Sequence, residues 1–261
     1  VHSGADCANQ LLLLLGIRQA KRAPTPDHPL GFGKATYFWS FMVALLLFSM
    51  GGAFSIYEGV HKLSSPEPVE SPWIAIAVLG IGVVLEAWSL RGCILEIREK
   101  AGDMPLWRYF RDSRESELIV VMGEDIAALA GLALALLAVV LSMVTGNPMW
   151  DAIGSIAVGV LLVIVAIGVG IEVRALLIGQ SAEPAERTAM EEWLKTRPEI
   201  AELYNMISFQ MGTYLFVAVK ARMAERDSAK VLIDQVNAVQ DALKVEFPDV
   251  RWVFFEPDDK G

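Results

Sequence analysis

The sequence predicts an α-helical polytopic membrane domain followed by a small α+β domain. Three observations carry this. Hydrophobic residues make up 54% of the 261-residue chain and charged residues only 20%, where soluble domains average roughly 45–50% apolar and 25% charged. Segments 35–57, 126–148 and 152–171 contain no charged residue, and each is about the 20 residues a helix needs to cross a bilayer. Beyond residue 179 charges return and apolar runs shorten, so the boundary lies between 1–179 and 180–261. The net charge of −9 leaves no basic surface for a phosphate backbone, which excludes nucleic-acid binding and makes cations the better partner.

The helices follow in order. The first, at about 1–17, opens inside an apolar segment without methionine and lacks the charged start and cleavage site of a signal peptide; it reads as part of a chain whose beginning is missing. The second covers 35–61. The third, 72–97, is apolar to residue 90 except for Glu86, and the last two span 116–144 and 148–178. Ser71-Pro72 and Asn147-Pro148 each set a capping side chain before a proline, which is favoured at the first helical position. Arg18, Lys21, Arg22 and Lys34 fall in one connecting segment and Arg91, Arg98, Lys100, Arg108, Arg111 and Arg114 in another, whereas Lys62 stands alone opposite them. The positive-inside rule makes the basic segments and the C-terminal tail cytoplasmic. Cys7 and Cys93 lie in apolar surroundings with no paired-cysteine spacing and read as small buried hydrophobes.

The tail reads as α-β-β-α-β: a helix at 184–196, strands at 204–211 and 214–222 around Gly212-Thr213, a helix capped by Asp227 with Leu232, Val236, Val239 and Leu243 on one face, and a strand at 250–255. Helices on one face of a small sheet suit a dimerisation or regulatory module. No glycine-rich phosphate loop, HExxH or GxSxG is present, so an intramembrane enzyme ranks last among the functions considered and the chain is expected not to be an enzyme.

Function is sought where ionisable residues sit inside apolar helices, because each costs a few kcal/mol there without a partner or a wet path. His2 and Asp6, four residues apart, share one helix face and suit a divalent ion, although the spacing also arises by chance near a membrane surface. Asn9 continues that face. Glu124 and Asp125 point about 100° apart on a helix, so one aims into a shared site and the other toward a neighbouring helix or cavity; the bland alternative is a pair at headgroup depth. Ala127, Gly131 and Ala135 follow as a small-residue stripe that lets another helix approach. Glu86, with Ser89 nearby, is a secondary proton carrier or ligand, or else a partner of Arg91. Glu58, Asp151 and Glu172 lie at span ends, where solvent satisfies a charge cheaply.

The stretches HSGADCANQLLLLLGIRQA and DHPLGFGKATYFWSFMVALLLFSMGGAFSIYEGVHKL, the GEDIAALAG helix, the TGNPMWDAIGSIAVG junction and the closing VFFEPDD together resemble the cation diffusion facilitator family, in its zinc transporter 9-like branch. The resemblance implies a six-helix bundle whose first helix is missing here, then a cytoplasmic ferredoxin-like domain. It implies a homodimeric antiporter in the membrane, a bacterial inner membrane by expectation, that exports Zn2+, or Mn2+, Fe2+ or Co2+, against protons and carries no prosthetic group.

By position, His2 and Asp6 match the family's ligand pair on the second helix. On the fifth, matching Asp125 to the family aspartate puts Val121 where a histidine belongs. Either Glu124 replaces that ligand, or the register shifts and Leu129 takes the aspartate position. Both outcomes give a harder, more oxygen-rich site that is less strictly selective for zinc. Asp27 and His28 match a loop metal site of some members, with Phe32 in the place of a further histidine. Ion entry then displaces protons from His2 and the acids. A non-transporting scaffold with a degraded site is the alternative, and the absent histidine favours it.

Overall fold

The computed structural model describes residues 2–65, 71–102, 104–224 and 227–260, with the side chains of 2–8 outside the description. The chain divides into two compact units: a helical unit of Val1–Ile17, Thr36–Arg111 and Ser116–Arg174, and a C-terminal unit of Arg18–Ala35, Asp112–Glu115 and Ala175–Gly261.

In the helical unit, α1 runs His2–Ala20. The next span starts as α2, Ala35–Leu46, passes through a π-helical segment, Leu47–Ala53, and continues as α3, Phe54–Ser64. Then come α4, Pro72–Ala101, the short α5, Leu106–Asp112, α6, Ser116–Thr145, and α7, Met149–Ile178. The four stretches Ala35–Ser64, Pro72–Ala101, Ser116–Thr145 and Met149–Ile178 are each long and apolar enough to cross a membrane. Exposed Trp73, Ile74, Val78, Ile81, Val84 and Trp88 on α4 make the outward surface apolar, as a lipid-facing helix requires.

Several details differ from the sequence reading. The third helix is expected at 72–97, yet α4 continues to Ala101, because Glu96 and Lys100 are good helix formers and pair one turn apart at 3.6 Å. Gly102, at φ +56, then stops it. Part of the basic connecting segment is therefore helix, with Arg108 and Arg111 on α5. Ser71 precedes Pro72 but makes no side-chain cap, whereas the Asn147 side chain accepts from the backbone N–H of Met149 at 3.0 Å.

The helices pack by close approach rather than by bulk. A Cβ at Gly59 would stand 2.8 Å from the Ile156 nitrogen and 2.9 Å from the Ala152 oxygen, and one at Gly159 2.8 Å from the Gly52 oxygen. Only glycine lets α3 and α7 meet backbone to backbone there. Lys62 closes the same crossing with Glu58 at 3.2 Å and Asp151 at 3.0 Å, so these two acids are paired at a span end.

In the C-terminal unit the order is α8, Pro184–Lys195, β1, Ile200–Met211, β2, Tyr214–Met223, α9, Ala229–Glu246, and β3, Val250–Pro257. β1 and β2 form an antiparallel hairpin, and β3 adds to β2 in parallel, which requires the α9 crossover. Met190, Leu194, Leu215, Val217, Val219, Val239 and Leu243 form the core between the sheet and its helices. The hairpin starts four residues earlier than expected, at Ile200, where its register is irregular. The cap of α9 is Ser228, which is extended and accepts from the Val231 N–H at 3.3 Å, and not Asp227; the two neighbours are both good caps by residue type.

Candidate functional site

Helix α6 carries Glu124 and Asp125 in the helical unit, and the 100° between adjacent residues sends them to different neighbours. The Asn9 side-chain N–H, from α1, donates to Glu124 Oε1 at 2.5 Å. The Ser89 hydroxyl, from α4, donates to Asp125 Oδ2 at 3.1 Å. Asp125 is only 9% exposed.

Both acids line a cavity of about 290 Å3 together with Gln10, Leu47, Leu85, Glu86, Ser89, Ala128 and Leu162. α1, the π-helical segment, α4, α6 and α7 all contribute to it. Leu85, Glu86 and Ser89 come from α4, and Glu124, Asp125 and Ala128 from α6. Leu47 opens the π-helical segment, a distortion that recurs at functional sites because it turns side chains out of the regular helical stripe. The polar wall holds three carboxylates, a hydroxyl and an amide, all oxygen-bearing groups suited to hard cations. Among the described residues no group of three His, Cys, Asp or Glu side chains could by itself hold a metal ion.

Placement of the expected residues is uneven. Glu124, Asp125, Asn9 and Glu86 come together at or beside this cavity. His2 and Asp6 lie on α1, but their side chains, like that of Cys7, are outside the described residues. Asp6 precedes the cavity-lining Gln10 by one helical turn. Gln10 and the bond from Ser89 to Asp125 were not foreseen; the signal available was their spacing, four after Asp6 and three after Glu86. Cys93 is a buried free cysteine packed with Ile97, Tyr109, Leu118 and Met122, in keeping with a small core hydrophobe.

The loop pair Asp27 and His28 belongs to the C-terminal unit and is exposed. A turn closes here, with the His28 N–H donating to the Thr25 carbonyl at 3.0 Å. The His28 ring stacks on Phe32 at 4.4 Å between centroids, so the aromatic residue engages the imidazole by its face instead of adding a ligand. Nearby, Lys34 donates to the Leu177 carbonyl at 3.2 Å and lies 4.3 Å from the centre of the Phe209 ring; burial lowers its ammonium pKa.

The sequence model of the cation efflux transmembrane domain matches residues 1–178. The chain is 36% identical over 214 residues to the mitochondrial proton-coupled zinc antiporter SLC30A9 of Xenopus laevis, covering 81% of this chain and 38% of that relative. To metal tolerance protein C4 of Arabidopsis thaliana it is 35% identical, covering 81% of this chain and 47% of that one. With the cation-efflux pump FieF of Serratia proteamaculans identity is 26% over 95% of this chain and 78% of the pump. The chain thus spans about two fifths of the length of the zinc antiporter it matches.

Proposed function

This chain belongs to the cation efflux family, in the branch of the SLC30A9-like proteins, and on that premise we propose that it exports a divalent metal cation, Zn2+ foremost, in exchange for protons. The single observation that carries the reading is the pair Glu124 and Asp125, held from two other helices around a polar cavity inside a bundle of membrane-length apolar helices. Charge at that depth is retained only for a partner or a path. The relatives, a proton-coupled zinc antiporter and a cation-efflux pump, support the cargo and the coupling.

In this mechanism His2 and Asp6 of α1 serve as ligands together with Glu124 and Asp125 of α6. An ion arriving from the cytoplasm displaces protons from these groups, since carboxylates and imidazole bind metal only when deprotonated. Opening to the far side and reprotonation release it. Glu86, on the opposite wall of the cavity, carries protons between solvent and site. Asp27 and His28 would act as an entry contact at most, because Phe32 occupies the His28 ring. The metal is cargo, and no prosthetic group or chemical step on a substrate is involved.

The protein is a membrane protein. We place it in a bacterial inner membrane with residues 180–261 as a cytoplasmic ferredoxin-like domain; the basic segments around Arg22 and Arg98 support the orientation, and the bacterial pump shares most of its length with this chain. A homodimer is supported by the uncovered face of the sheet, where Ile207 is 57% and Phe254 60% exposed and Phe216 stacks on Phe254.

The test uses the purified full-length protein in proteoliposomes, following Zn2+ and Mn2+ uptake under an imposed pH gradient. Gradient-driven uptake that falls at least about 100-fold in Asp125→Asn, with unchanged assembly by gel filtration, is expected. Uptake at the parent rate in the variant removes Asp125 from the mechanism. No uptake of any divalent ion by the parent favours the scaffold reading, for which Val121 in place of a histidine is the motivating feature.

A further inference from the structure

Asn9 has its hydrogen bonding half finished. The residue is 2% exposed, its N–H donates to Glu124 at 2.5 Å, and its carbonyl oxygen is buried without a hydrogen-bond partner. Among the described residues of the helical unit no other buried side-chain oxygen or nitrogen is left in this state. The Glu124 carboxylate fixes which end of the amide faces it, because a carboxylate attracts the N–H and repels the carbonyl. The oxygen is therefore turned away from Oε1 and bears the cost of desolvation with no return.

Helical spacing says what would complete it. Asn9 lies seven residues after His2 and three after Asp6, on the stripe of α1 that carries the proposed ligands. It adjoins Gln10 and touches Glu124, both of which line the cavity. On α6, position 121 is a valine, which has no donor atom. We infer that the carbonyl oxygen of Asn9 is a cation ligand that takes over from α1 the coordination that Val121 cannot supply from α6, and that it sets the choice among divalent ions. This rests on the proposal that the cavity is the transport site. An amide oxygen is a neutral, hard donor, so its presence in the place of an imidazole raises tolerance for Mn2+ relative to Zn2+. The same side chain holds Glu124 in position, so one residue orients a charged ligand and contributes a neutral one.

The experiment measures equilibrium binding of Zn2+ and of Mn2+ to the purified full-length protein in detergent, beside flux in proteoliposomes, for the parent, Asn9→Ala and Asn9→His. Loss of the ligand in Asn9→Ala is expected to weaken both ions about 10-fold or more, Mn2+ the more strongly. Asn9→His is close in size and keeps an N–H for Glu124; it is expected to move the Zn2+ over Mn2+ preference toward zinc by about 10-fold, since imidazole is the softer donor. Parent-like preference in Asn9→His, or parent-like affinities in Asn9→Ala, overturns the inference and leaves Asn9 as a clasp whose oxygen meets only buried water. A parent that binds both ions with this dependence on Asn9 but moves neither overturns the antiport reading alone. A parent that binds neither overturns both.

Discussion

Among the described residues, Asp125 in the helical unit and Asp258 in the C-terminal unit each have one side-chain partner, a Ser89 hydroxyl at 3.1 Å and a Lys220 ammonium at 2.9 Å. The chemistry of the partners separates them. Lys220 neutralises Asp258 at the surface and holds its carboxyl below the usual carboxylate range; a pair screened by water in this way contributes little to stability. Ser89 offers a dipole and no charge, so among the described residues no cation is bonded to the Asp125 carboxyl inside the apolar bundle. Glu202 repeats the surface pattern, with Arg222 at 2.9 Å. Asp258 and Glu202 at the surface are matched with cations, whereas Asp125 is matched with a neutral hydrogen-bond donor, and that leaves its charge for a mobile cation.

The sharpest way to test this contrast is to damage one unit and read both. Leu215 is fully buried in the core of the C-terminal sheet, and Leu215→Ala is expected to cost about 2–5 kcal/mol of stability in that unit. Limited proteolysis and a thermal melt would register it. Zn2+ over Mn2+ preference, a property of the helical unit, stays at the parent ratio. A changed preference in Leu215→Ala with an intact helical unit would break the division of labour between the two regions.

How far the sequence carried this contrast depends on the side chain. Glu124 and Asp125 were legible because two acids at the head of a long apolar run have no cheap explanation. Ser89 was not, since a hydroxyl satisfies itself on its own helix at little cost, and its partner is decided by the rotation of α4 against α6. Asn9 was legible as a position on a face but not as a bond to Glu124, 115 residues away. Four membrane-length helices and the α-β-β-α-β tail follow from hydropathy and alternation; the π-helical segment and the extension of α4 do not, because hydropathy reads neither a backbone bulge nor charged residues that favour helix. The cap moved from Asp227 to Ser228 because capping preference alone does not choose between adjacent good caps.

Ser89 gives the second test, smaller than the first. A hydrogen bond to a carboxylate is worth roughly 1.5–3 kcal/mol, so Ser89→Ala should weaken Zn2+ binding by about 10-fold or more without altering the melt of the C-terminal unit. Ser89→Thr, which keeps the hydroxyl, restores it. An alanine variant with parent affinity would mean that Asp125 is positioned by its own helix, and the hydroxyl would then lose its part in the comparison.

The smallest effect falls on a third kind of acid, one half-buried among charges. Glu183 accepts from the backbone N–H of Arg114 at 3.3 Å, both in the C-terminal unit. Burial raises its carboxyl above the ordinary value, and the Arg114 contacts only partly oppose this. The sign follows from linkage. A carboxyl that is raised on folding favours the protonated native state, so its contribution is complete below the unfolded value of about 4.3 and is lost as pH rises through the folded one. From neutral pH downward the unit therefore gains from this group, by a fraction of a kcal/mol once solvent screening is allowed for. Glu183→Gln keeps an acceptor for Arg114 and removes the charge, so its melt at pH 7 should equal or slightly exceed the parent's and the two should converge near pH 4.5. A glutamine variant that melts lower at pH 7 would show Glu183 to be a charge partner of Arg114 first, and would move it to the side of Asp258.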